Sequence, residues 1–224
     1  MRRIALTYSL LSFLDDLEYT EAALAADPEA EHLALPFRDA ISEWEPLFKR
    51  EREARRDVTR AEAVVAVRNE RLDAVTTRFA AMARALAAPL LGKLFGDTAP
   101  GQFVRKGLRV QCEKTRDVIL PEIGKLEPGH ELKPFGPPLD IAVSGAFGAL
   151  DKRAMAKGNR QIVANETEEW KEGVNALRTT TYAELLKIAT AKKYPKSWVE
   201  SFFRSVTSAD AVDEPDADSN ASRG

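Results

Sequence analysis

A heptad seam constrains this chain more than any other feature. Phe37, Ala40, Trp44, Leu47, Glu51, Ala54, Val58, Ala61, Val65, Arg68, Leu72, Val75, Phe79, Met82 and Leu86 follow one another in alternating steps of three and four. Such spacing puts one face of a helix against another helix along its whole length. Between Leu47 and Ala88 there is neither Gly nor Pro. At a rise of 1.5 Å per residue, that uninterrupted part extends about 60 Å. Pro36 suits a first helical turn, where its missing N–H costs nothing. Pro46 is expected to kink the helix or to mark its true start.

The same periodicity predicts three further helices and a short terminal one. The first runs from about Arg3 to Ala26, ended by Asp27-Pro28, and the next from about Phe103 to Leu126, weakened near Pro121. A second long helix covers about Leu139 to Thr190, with Trp170, Val174, Leu177, Thr181, Leu185 and Ile188 on its clearest face. Beyond Pro195, a short amphipathic helix turns Trp198, Phe202 and Val206 inward. No alternating β-branched run is long enough for a sheet.

The only two histidines introduce nearly the same phrase, "HLALPF" at 32–37 and "HELKPF" at 130–135. Each lies between a shorter and a longer helix. Related phrases follow on the long helices: "LFKRE" against "LDKRA", and "TTRFA" against "TTTYA". The histidines are offset by 98 residues and the later phrases by 103, while the apolar seam aligns better at 102. This pattern reads as a duplicated helical hairpin. Residues 1–101 form the first repeat and 102–206 the second, which carries the short C-terminal helix. The expected fold is an all-α, elongated four-helix bundle. Residues 207–224 carry Asp210, Asp213, Glu214, Asp216 and Asp218 against Arg223 and are expected to be a disordered acidic tail.

Composition excludes several classes. Formal net charge is −2 across 224 residues, so no global field attracts nucleic acid or a membrane. One cysteine, Cys112, rules out an intramolecular disulfide framework and a zinc ribbon. Arg2 and Arg3 precede an apolar run, but that run is interrupted by Thr7, Ser9 and Ser12 and ends in Asp15-Asp16, which does not read as a signal peptide. No stretch approaches the ~20 apolar residues of a membrane span. The expectation is a cytoplasmic bacterial protein with no membrane contact.

Chemistry-bearing residues are sparse. Glu29-x-x-His32 and Glu127-x-x-His130 have the i, i+3 spacing of carboxylate-bundle metal ligands. The second pair reads Glu-Pro-Gly-His, which does not form a helix, so neither a metal nor another cofactor is expected. Nor can a catalytic triad, a P-loop or a dinucleotide fingerprint be assembled. Arg68 interrupts the seam, and Lys171 holds the matching position on the other long helix. With His32 and His130, they are the candidate ligand-binding residues. The basic runs "KREREARR", "RKGLR" and "KRAMAKGNR" offer Arg55, Arg56, Arg105, Lys106, Lys152 and Arg153 as candidate phosphate contacts. Acidic interleaving and the absence of an aromatic platform disfavour nucleic acid as the partner.

The reading is therefore a non-catalytic scaffold, adaptor or assembly protein. Its expected company is a protein partner or a second copy in a homodimer. The alternatives are a bundle enzyme or carrier holding a metal or small ligand, and a nucleic-acid-associated protein.

Overall fold

A computed structural model describes residues 3–204. The expected acidic tail, and Val206 with it, lie outside the described residues. The elements are α1 (Leu10–Ala25), α2 (Leu35–Leu86), α3 (Leu90–Phe95), α4 (Pro100–Phe103), α5 (Leu108–Lys114), a π-helical turn (Thr115–Ile119), α6 (Leu120–Gly124), α7 (Gly136–Lys192) and α8 (Lys196–Glu200). Two 3-10 turns, Glu31–Leu33 and Lys133–Phe135, lead into α2 and α7. The fold is an all-α bundle, with no strand among the described residues.

Packing divides the chain into two compact units. Unit 1 comprises residues 3–53 and 162–204, and unit 2 is Ala54–Gln161. The sequence halves 1–101 and 102–206 are cut differently, because each long helix contributes one part to each unit.

In unit 1, Phe13, Leu17 and Leu24 of α1 pack with Phe37, Val174, Leu185, Val199 and Phe202. α1 begins at Leu10 and not near Arg3, for two reasons. The Ser9 hydroxyl accepts from the Ser12 N–H at 3.1 Å and caps the helix. Ahead of it, the Ile4 backbone is held from outside: its N–H donates to Asn175 Oδ1, and its carbonyl accepts from Asn175 Nδ2, both at 2.9 Å. A tertiary partner thus replaces the helical bonds this segment would otherwise make.

α2 is 52 residues long and continues as helix through Pro46. The bond Pro46 cannot donate belongs to the Ser42 carbonyl, and both residues are exposed, so water can take its place. Phe37, Leu47, Ala54, Val58, Val65, Leu72 and Phe79 are buried as the seam requires. Met82 and Leu86 are exposed, and their neighbours Ala83 and Ala87 take the inward positions. The cause is helical pitch. A seven-residue repeat slips by about 20° per heptad on a straight helix, or about 120° from Phe37 to Phe79. That is roughly the angle of one residue.

Unit 2 is built around Leu72, Phe79, Phe95, Phe103, Ile119, Leu132 and Leu139. Phe135 of the second Pro-Phe phrase packs on Phe79 with ring centroids 5.7 Å apart. Phe37 of the first is fully buried in unit 1, so both phrases place their ring in a core at the entry to a long helix. The single helix expected over 103–126 is broken. α4 stops at Phe103, Gly107 precedes the first residue of α5, and the π turn, in which Leu120 N–H reaches Thr115 O, comes just before Pro121. A proline that cannot donate sits where the regular ladder has already shifted. The short helices α3 and α4 carry no seam long enough to announce them.

α7 spans 57 residues without interruption at Gly158 or Gly173. Lys193 adopts φ 59°, and Tyr194 N–H closes the helix end on Ala189 O at 2.8 Å.

Candidate functional site

The two histidines fall in different units. His32 is exposed in the turn before α2. His130 Nδ1 accepts from the Leu132 N–H at 3.1 Å, fastening the turn that leads to α7. Of their glutamate partners in sequence, Glu29 pairs with Lys192 at 2.8 Å in unit 1. Among the described residues, no three His, Cys, Asp or Glu side chains group closely enough to hold a metal.

Arg68 and Lys171 also part company. In unit 2, Arg68 lies half-buried over α7, where a side-chain carbon on Gly145 would stand 3.4 Å from its Nη1. The glycine admits the guanidinium. In unit 1, Lys171 Nζ donates to the Leu6 carbonyl at 2.9 Å and the Tyr8 carbonyl at 2.5 Å, and it stands 5.4 Å from the Phe13 ring centroid. Together with Asn175, it pins the turn-containing N-terminal segment to α7.

Two of the three basic runs meet in unit 2. A cavity of about 460 Å³ has walls of Val65, Leu108, Val110, Leu150 and Ala154, with Arg109, Arg153 and Lys157 bringing cations. Arg109 stands 4.0 Å from Asp151, and Lys157 is 3.1 Å from Glu62. Of the six residues anticipated as phosphate contacts, only Arg153 lines this cavity. Lys106 donates to Thr98 Oγ1 at 3.1 Å, Lys152 points outward on α7, and Arg56 and Arg105 are exposed away from the cavity lining. Arg55 is exposed on α2 and is likewise not among the lining residues. Arg109 and Lys157 belong to the same runs, but nothing in their spacing distinguishes them. They are selected by the crossing of α5 and α7.

The interior of unit 2 also carries unsatisfied oxygens. Asp73 and Thr76 lie one turn apart on α2, and Gln111 and Thr115 one turn apart across α5 and the π turn. Asp73 Oδ1, Thr76 Oγ1, Gln111 Oε1 and Thr115 Oγ1 are buried without a hydrogen-bond partner. Gln111 spends its amide protons on the carbonyls of Val104 (3.1 Å) and Lys106 (2.8 Å), which fixes its orientation and leaves only its oxygen to offer. Burial, reinforced by the nearby negative charge of Glu70, raises the Asp73 carboxyl above its ordinary range, against hydrogen bonding from Asn69.

Single large apolar side chains stand in solvent on α7 among exposed polar ones, Ser144, Asp151, Lys152 and Asn159. Ile141, Met155 and Ile162 are 70%, 75% and 59% exposed, and Gly148 occupies the heptad position between the first two. No helix among the described residues is long and apolar enough to cross a membrane.

No family model, curated protein or solved structure matches the chain.

Proposed function

We propose that this is a non-catalytic helical assembly or adaptor protein, acting in the bacterial cytoplasm through the outward face of α7. The observation that carries this reading is the exposure of Ile141 and Met155, both on the part of α7 that belongs to unit 2. Side chains of that size standing in solvent are candidates for contact with another protein surface.

Met155→Glu tests the reading, because Met155 is 75% exposed and its replacement leaves the core intact. Leu72, at the centre of unit 2, is unsuitable, since a charge there would unfold the unit. Native mass spectrometry of the protein from its own host should show a defined complex, and Met155→Glu should remove it. The double change His32→Ala plus His130→Ala should leave it in place. A chain that is isolated alone under gentle conditions, and is indifferent to Met155→Glu, would overturn the reading.

A second reading is favoured by the cavity beside α5, where cations from two basic runs face apolar walls. That combination suits an anion with an apolar body, or a nucleic-acid phosphate held beside its base. Retention on heparin that is lost with added salt and with Arg153→Glu would support it. No retention at low salt would end it.

A further inference from the structure

We infer that the cavity beside α5 in unit 2 binds a small aliphatic carboxylate, with Arg153 as the residue that meets its charge. This inference rests on the anion reading of that cavity and names the class of anion.

The walls follow from helix spacing. Leu150, Arg153, Ala154 and Lys157 stand at i, i+3, i+4 and i+7 on α7, so they share one face over two turns. Leu108 and Arg109 come from the first turn of α5, and Val65 from α2. Val65 and Leu150 are buried and join Leu108 in one small apolar cluster, which gives the cavity an apolar floor. Val110, Arg109 and Lys157 are exposed and form its rim. An apolar floor under a cationic rim suits a hydrocarbon chain with an anionic head.

Charge decides the head group. Lys157 is 3.1 Å from Glu62, and Arg109 is 4.0 Å from Asp151. Arg153 is half-buried and has no carboxylate partner among the described residues. Three cations against two carboxylates leave one positive charge uncompensated, on the least exposed of the three. A monoanion balances it, and a doubly charged phosphate does not. The planar guanidinium also offers a carboxylate two parallel N–H donors.

The walls decide the body. No aromatic ring lines the cavity, so a nucleobase would find nothing to stack on. Its volume of about 460 Å³ holds roughly 15 non-hydrogen atoms, at the ~30 Å³ that each water takes in the liquid. Decanoate is a probe of that size.

Isothermal titration calorimetry of the purified full chain with decanoate should show saturable binding. The neutral decanol should bind roughly tenfold more weakly or not at all, and so should the shorter hexanoate. Arg153→Gln keeps a polar side chain but removes the charge, and should weaken decanoate binding roughly tenfold. Ala154→Leu puts a good helix former at an exposed position, fills the cavity and should weaken binding as much. Lys152→Gln, one position away but outside the lining, should change nothing. Circular dichroism should show the same helix content in all three variants.

Decanoate binding that is indifferent to both Arg153→Gln and Ala154→Leu would overturn the inference, and so would decanol binding as tightly as decanoate. Heparin retention abolished by Arg153→Glu, without decanoate binding, would overturn the carboxylate and keep the anion reading. Neither decanoate binding nor heparin retention would overturn both.

Discussion

Arg178 Nη1 donates to Asp16 Oδ1 across 3.1 Å in the interior of unit 1, with both side chains nearly sealed from solvent. The guanidinium carbon lies 5.4 Å from the Phe203 ring centroid, and its Nε has no hydrogen-bond partner. Burial pushes the Asp16 carboxyl up and the Arg178 guanidinium down, in each case against the attraction of the other. Desolvation outweighs the pairing on both sides. A buried pair whose desolvation outweighs its attraction adds little net stability.

Removing one partner should be far worse than removing both. Asp16→Ala strands a buried cation and should cost about 3–5 kcal/mol, whereas Asp16→Leu with Arg178→Met should be near neutral or stabilising. All three tryptophans, Trp44, Trp170 and Trp198, belong to unit 1. Urea unfolding followed by indole fluorescence therefore reads this unit directly. Equal losses for the single and double changes would contradict the expectation.

Asn175 binds the Ile4 backbone through both ends of its amide. Asn175→Ala should cost about 2 kcal/mol, because a buried N–H and carbonyl lose the side chain that binds them. Amide exchange at Ile4 should quicken by an order of magnitude or more while the α5 amides are unaffected. Lys171→Met should loosen Leu6 and Tyr8 in the same assay, but less so.

Asp73 makes unit 2 sensitive to pH with a definite sign. Its folded-state pKa is raised, so its contribution to stability is fully present below about pH 3.8 and is lost as pH rises through the folded value. Asp73→Asn should stabilise unit 2 at pH 7, and the advantage should shrink at pH 4 and below. The asparagine oxygen can still accept from Asn69, which now donates to Asp73 Oδ2 at 2.9 Å. Denaturant midpoints at the two pH values check this, and a variant weaker than the parent at pH 7 would reverse the reading.

Cys112 should be inert in the folded protein. Its side chain is fully buried, and burial raises the thiol to about 11, so almost no thiolate exists at neutral pH. A thiol reagent should react only as unit 2 opens, which makes the rate a probe for that unit, complementary to the tryptophans. Rapid labelling under native conditions would show that α5 does not stay packed.

Much of the helical framework was legible from nearby residues. The seam from Phe37 to Phe79 and the Pro-Phe turns rest on bonds between neighbours four residues apart, so local sequence carries them. The slip from Met82 to Ala83 was not visible, because a strict heptad is an idealisation that a long straight helix outruns. Arg3–Tyr8 looked helical because its partners, Lys171 and Asn175, lie more than 160 positions away. The cavity was half legible: both basic runs could be quoted, but their selection of Arg109, Arg153 and Lys157 depends on where two helices cross.

By itself, then, the sequence determined that the chain is all-helical, where its long helices enter, and which side of α2 turns inward. These follow from periodicity and from the backbone's need to bond locally. Only the tertiary structure decided that residues 3–53 pack with 162–204, that Asp16 meets Arg178, and that Ile141 and Met155 remain in solvent. Each of these depends on closing a long loop of chain, and the side chains within that loop do not encode which distant surface it will meet.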